Sequence, residues 1–242
     1  MKMNFKPAFR YQFRSLLRGG AKSIIIILGV LLILLLFMNM SASNSSVTGM
    51  FGGTVAIFLF VMGIVCIRGD LRLCLQFGVS RRTSFLSELT AVLAVSALLS
   101  VVGEVITGIV QLATANVPNF TVSDLCQLDF FRDTRVLGFG GHMISALFNS
   151  ALFFSSFICG VFFSLLFWRL NKFWTIVAAI SIPFILNGFP ILLHSLSIDL
   201  SPFMGWLNSS PFNFVLLWLL TAALVGLVDW LLLRRANIKA KT

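Results

Sequence analysis

Six apolar runs, each close to the length that crosses a bilayer, dominate the chain. About 20 helical residues at 1.5 Å per residue cover the ~30 Å of hydrocarbon, and a soluble core seldom contains such runs repeatedly. They occupy residues 23–40, 51–67, 85–113, 143–168, 173–194 and 212–233. With 58% hydrophobic and 11% charged residues, water is excluded as the main solvent. The expected fold is therefore an all-α integral membrane protein. A cytoplasmic helix over 1–22 precedes a six-span membrane domain over 23–233, and a basic tail over 234–242 follows it.

An even number of spans places both termini on one side, and the cations say which. Lys2, Lys6, Arg10, Arg14, Arg18 and Lys22 precede the first run, and Arg68, Arg72, Arg81 and Arg82 lie between the second and third. Arg169 and Lys172 join the fourth to the fifth, and Arg234, Arg235, Lys239 and Lys241 follow the sixth. Only Arg132 and Arg135 fall on the other face. Short cytoplasmic connections retain Lys and Arg, so the sixteen mark the inside of a multi-pass cell-membrane protein. The net charge of +10 is then mainly a topology signal and gives no support to nucleic-acid binding. Ser41-Ala42-Ser43 after the first run could be read as a leader cleavage site. That run exceeds the usual h-region of about 7–15 residues, so an uncleaved span is the better reading.

Metal and thiol chemistry find little footing. The four cysteines, Cys66, Cys74, Cys126 and Cys159, fall in different compartments, which disfavours a structural disulfide. His142 and His194 read as isolated polar residues at an outer boundary, with no neighbouring ligand in sequence. No cofactor is expected in the chain itself.

The cytoplasmic segments are more specific. Cations recur every four residues from Lys2 to Lys22, beside an apolar set formed by Phe5, Phe9, Phe13, Leu16 and Leu17. This predicts an amphipathic helix facing anionic lipid or an acidic protein surface, lying in the interface plane, with Gly19-Gly20 as the bend into the membrane. Phe5, Phe9, Arg10, Phe13, Arg14 and Arg18 are its candidate contact residues, whether as topology anchor or docking helix. Between the second and third runs, Asp70 to Phe77 predicts a short separate helix across the membrane base, with Gly78 as a left-handed cap and Ser80 capping the next helix.

This combination resembles the permease subunits of bacterial ABC-2 type transporters. The likeness rests on the basic leader helix, the six spans and the segment Asp70-Leu71-Arg72 followed by Phe77-Gly78-Val79-Ser80-Arg81-Arg82 and Phe85. The architecture covers nearly the whole chain, and the local likeness covers about residues 68–88. The resemblance implies that Asp70, Arg72, Leu75, Phe77, Gly78, Val79, Arg81 and Arg82 form a coupling surface for a separate ATPase subunit, which would bind ATP and magnesium. It also implies a second permease copy, identical or not, and export of a hydrophobic or amphipathic substrate. No Gly-x-x-x-x-Gly-Lys-[Ser/Thr] loop occurs in the chain, so ATP hydrolysis would belong to that partner. The outer segment between spans five and six is short for the lid such proteins carry.

Within the spans, polar residues stand out against their apolar setting. Glu88 is placed either to bridge to a cation of the leader helix or to reach headgroup water at the boundary, and Asp229 to pair with Arg234 and Arg235. Glu104, Thr107 and Gln111 form a small polar stripe that lines a pathway, bonds between helices or marks the outer boundary of the span. Pro183 and Asn187 mark a kinked or re-entrant stretch of the fifth span. On the outside, Ser123 predicts a cap for an amphipathic surface helix over 124–131. An intramembrane enzyme would need a second acid or a catalytic dyad at the depth of Glu104, and none is visible in sequence. A partnerless channel, immunity or regulatory protein, or the substrate-capture subunit of a vitamin importer, are the competing classes.

Overall fold

In the computed structural model the described residues are 5–40, 47–48, 50–114, 122–131, 137–169 and 201–234. They form seven helices: α1 Phe5–Met40, α2 Met50–Gln76, α3 Arg81–Thr114, α4 Leu125–Phe130, α5 Phe139–Arg169, α6 Ser201–Asn208 and α7 Pro211–Arg234. The only strand pairing among the described residues is a two-residue parallel bridge, Val47 to Val122 and Thr48 to Ser123, which ties the α1–α2 and α3–α4 connections together. Four helices, α2, α3, α5 and α7, are long and apolar enough to cross a membrane. The chain is thus an all-helical membrane protein. The expected fifth span, with Pro183, Asn187 and His194, lies outside the described residues.

The long helices start and stop where residue chemistry requires. Gly78 adopts φ +71°, which costs a residue without Cβ little. Its N–H bonds the Leu75 carbonyl at 3.0 Å, and the next N–H, from Val79, bonds the Cys74 carbonyl at 2.9 Å. This paired closure is a Schellman cap, completed by packing of Val79 on Cys74 and Ala8. Two residues later Ser80 opens α3: its hydroxyl accepts the Thr83 N–H at 3.2 Å. The turn between the two spans is therefore fixed at both sides, as the sequence predicts.

Two helix boundaries differ from expectation. The segment 70–77 is no separate helix, because α2 runs without a break from Met50 to Gln76. No proline interrupts α2, and a side chain at Gly69 would meet nothing within 4 Å. Likewise α1 is one unbroken helix through Gly19-Gly20. These glycines serve close packing: Met62 of α2 sits against Gly19, and Leu99 of α3 against Gly20. The basic half of α1 consequently runs beside α3, held by Gln12, whose side chain bonds the Ser84 carbonyl at 3.4 Å and accepts the Ser87 hydroxyl at 2.5 Å.

Helix α5 is the centre of the bundle, packing on α2, α3 and α7, while α1 covers α2 and α3 from the other side. At the α2–α5 crossing Gly63 and Gly160 face each other's helix, with their Cα atoms in the space side chains would occupy. Ser164 seals the crossing by donating to the Ile64 carbonyl at 2.8 Å. Small residues here replace hydrophobic driving force with close backbone contact. Around this axis Phe153, Phe157, Leu59, Val55, Val92 and Val95 form the buried core. Helix α7 returns to the α3 start, where Phe85 and Trp230 lie 5.8 Å apart and Arg81 donates to the Leu233 carbonyl at 3.5 Å.

Candidate functional site: a buried carboxylate network

At the end of the bundle away from the α2–α3 turn, three helices and a connection converge on a polar cluster. Glu104, Thr107 and Gln111 occupy one face of α3 at i, i+3 and i+7, and all three are buried. Opposite them α5 presents His142, Ser145 and Asn149 with the same spacing. Two polar stripes of equal period therefore face each other across the α3–α5 contact.

Their bonds converge on two carboxylates. Glu104 Oε2 contacts His142 Nδ1 at 2.9 Å. Its other oxygen, Oε1, accepts from the Ser145 hydroxyl at 2.6 Å and from Asn149 Nδ2 at 2.9 Å. The same two donors also reach Asp124 Oδ2, at 3.0 Å from Ser145 and 2.5 Å from Asn149. Asp124 Oδ1 accepts the backbone N–H of Gly52 at 3.3 Å, which draws α2 into the site. That approach depends on glycine: a Cβ at position 52 would meet Asp124 Oδ1 at 2.7 Å and Asn149 Oδ1 at 2.9 Å. A second link lies deeper along α3, where Gln111 Nε2 donates to Gln127 at 2.7 Å and Gln111 Oε1 accepts the Leu137 N–H at 3.4 Å. Ser100 adds a bond to the Ala146 carbonyl.

Asp124 precedes α4 in extended conformation but makes no side-chain cap. The expected cap at Ser123 is not what organises this segment. The Asp124 carboxylate is turned inward and buried, and Cys126 and Gln127 are buried with it, so α4 is a plug over the site and not a free surface helix. Burial pushes the Cys126 thiol up to about 12, with Asp124 and Glu104 adding in the same direction, so it stays protonated. His142 keeps partial exposure and borders a cavity of about 350 Å³ with Glu104, Val105, Leu112 and Phe139.

Other sites singled out in the sequence distribute differently. Of the coupling residues, Arg72, Phe77, Gly78 and Arg82 are exposed, Phe77 most of all at 74%, and Leu75 is half-buried. Asp70 and Val79 are buried against α1 and face away from any partner. Asp70 bonds the Tyr11 phenol, and burial together with that carboxylate raises the Tyr11 hydroxyl above its ordinary value. Arg81 is committed to the end of α7. Glu88 makes no bridge to a described cation of α1: it is buried, and neither carboxylate oxygen has a hydrogen-bond partner among the described residues. Asp229 is also buried and without a hydrogen-bond partner among the described residues, so it does not pair with Arg234; Arg235 lies outside the described residues. Sequence distance measures only separation along one helix, and packing turned both carboxylates inward.

On α1, Phe5, Phe9 and Phe13 stack in series, and Phe9 and Phe13 pack against the core. Arg10, Arg14, Arg18 and Lys22 line a cavity of about 900 Å³ together with Ile26 of the same helix and with Phe58 and Met62 of α2. Because Gly20 meets Leu99, some 18 residues or ~27 Å along α3 from its start, this basic wall reaches into span depth. Cations at that depth require water or an anion beside them.

No family model, curated protein or solved structure matches the chain. The functional argument therefore rests on the geometry alone. His142, Ser145, Asn149 and Asp124 are the residues the sequence reading missed. The signal was present in α5, since a polar residue at every third or fourth position mirrors the Glu104 stripe, but His142 was assigned to a boundary.

Proposed function

We propose that the chain is the membrane-spanning permease subunit of an ABC-2 type transporter, working with a separate ATPase that binds ATP and magnesium. On this reading it has six spans, both termini in the cytoplasm and a second permease copy as partner. It exports an amphipathic or hydrophobic substrate across the cell membrane. The observation that carries the reading is the turn between α2 and α3. Phe77, like Arg72 and Arg82 within five residues of it in sequence, is exposed, on a turn braced by a Schellman cap, a serine cap and burial of Val79. An apolar ring held rigidly in a basic setting is suited to anchor a partner protein. Because α2 continues unbroken into this turn, a push on Phe77 would act directly along two spans. The basic cavity beside α1 suits an amphipathic substrate with an anionic group.

The test is co-purification of the tagged full chain with a co-expressed ATPase subunit from the same operon. Wild type is compared with Phe77→Ala plus Arg82→Glu, both exposed and outside the core. Recovery of the ATPase with wild type and its loss from the inserted double variant supports the reading. Failure to recover any ATPase with wild type would replace it with a channel or regulatory membrane protein.

A further inference from the structure

The carboxylate network is short of hydrogens. Ser145 Oγ lies at hydrogen-bond distance from both Glu104 Oε1, at 2.6 Å, and Asp124 Oδ2, at 3.0 Å. A hydroxyl has one proton to donate, so with both carboxylates ionised one of these contacts sets lone pair against lone pair. A second, separate deficit lies beside it. Asn149 Oδ1 belongs to a residue only 2% exposed, yet it has no donor among the described residues. It and Asp124 Oδ1 border the same space in front of Gly52. A buried acceptor without a donor costs about 1–3 kcal/mol, and a half-satisfied network is unfavourable as a whole.

We infer that Glu104 and Asp124 form a proton-binding site that holds one proton between them, relayed through the Ser145 hydroxyl. With the proton on Asp124 Oδ2, that carboxyl donates to Ser145 Oγ, and Ser145 donates to ionised Glu104. When Ser145 passes its hydrogen to Glu104 and takes the one from Asp124, the proton has moved from connection to span with no other change in bonding. His142 Nδ1, on the other oxygen of Glu104, continues the path to the 350 Å³ cavity. The groups facing the pair are few. Helix α5 contributes His142, α4 contributes the buried Cys126 and the exposed Asp129, and α2 contributes only the Gly52 N–H. Arg132, Asp133 and Arg135 lie outside the described residues. A proton fits better than a metal ion, since Asn149 Nδ2 already points a donor at each carboxylate. The inference stands apart from the permease reading, because it uses no residue of the α2–α3 turn and no partner.

Infrared spectra of the full chain in phosphatidylcholine vesicles test it. In wild type at neutral pH one protonated-carboxyl signal should disappear in Asp124→Asn and in Glu104→Gln, because the introduced amide supplies the missing hydrogen. It should persist in Glu88→Gln, which removes a different buried acid. Isotope-labelled carboxyl carbons in the unmodified chain give the same count by magnetic resonance, should the variants fail to fold. One protonated carboxyl in the pair supports the site, and two ionised ones overturn it. A melting temperature that rises when sodium replaces choline in wild type, but not in Asp124→Asn, would also overturn it in favour of a sodium site.

Discussion

Replacing Gly160 by Ala should loosen the whole bundle, and its effect follows from the α2–α5 crossing. A Cβ at 160 would collide with the Phe60 carbonyl oxygen, and would stand 3.0 Å from its carbon and 3.2 Å from Gly63 Cα. All three atoms are backbone, so no side chain can rotate aside. The helices must separate until each contact reaches about 3.5–4.0 Å, the optimum for carbon pairs. Overpacking of this kind costs about 1–3 kcal/mol. Separation also stretches the 2.8 Å bond from Ser164 to the Ile64 carbonyl, and bonds of this type between membrane helices average ~0.6 kcal/mol. The glycine it replaces was disfavoured in a helix by ~1 kcal/mol relative to alanine, which returns part of the loss. A net destabilisation of about 0.6–2.6 kcal/mol remains, or roughly a three- to seventyfold shift in the unfolding equilibrium. Reversible unfolding of the purified chain in mixed micelles measures it. Gly226→Ala is the control, because the nearest atom to its Cβ is Ile158 Cγ2 at 3.9 Å, an ordinary contact. It should be neutral or slightly stabilising. If Gly160→Ala unfolds no more readily than Gly226→Ala, the glycine crossing does not set the α2–α5 distance, and the packing argument fails.

Gly78→Ala should destabilise by about 1–2 kcal/mol although its side chain meets open space, because the penalty lies in φ +71° alone; Gly78→Asn should recover part of the loss in the same unfolding assay. Gln12→Leu should release the basic half of α1 from α3, removing two buried bonds for ~1–3 kcal/mol, and protease cleavage near residue 14 should accelerate before global unfolding does. In a variant with Cys126 as the only cysteine, maleimide labelling of the folded chain at pH 8 should be negligible. A thiol held at about 12 is only about one part in ten thousand thiolate there. Labelling should rise with pH and become rapid at pH 8 on denaturation, which restores the ordinary thiol value; fast labelling of the folded chain would refute burial of α4.

The chain by itself determined the solvent, the number and period of its apolar runs, and the local punctuation. Gly78 and Ser80 announce a cap and a start because their conformational and hydrogen-bonding preferences act within four residues, and both operate as read. The stripe of Glu104, Thr107 and Gln111 was legible for the same reason, being spaced along one helix. What lay beyond sequence was every pairing between helices. His142 meets Glu104 across 38 positions, and Asp124 is drawn past its capping role to Gly52 across 72. The Gly19-Gly20 pair shows the limit in one place, since glycine permits either a bend or a close approach. Only the presence of Met62 and Leu99 opposite it selected the second. Local rules fix which conformations a residue tolerates; in a bilayer, where apolar surface is as well placed against lipid as against protein, the helix that supplies its partners is decided by packing and by the few buried polar bonds that lipid cannot replace.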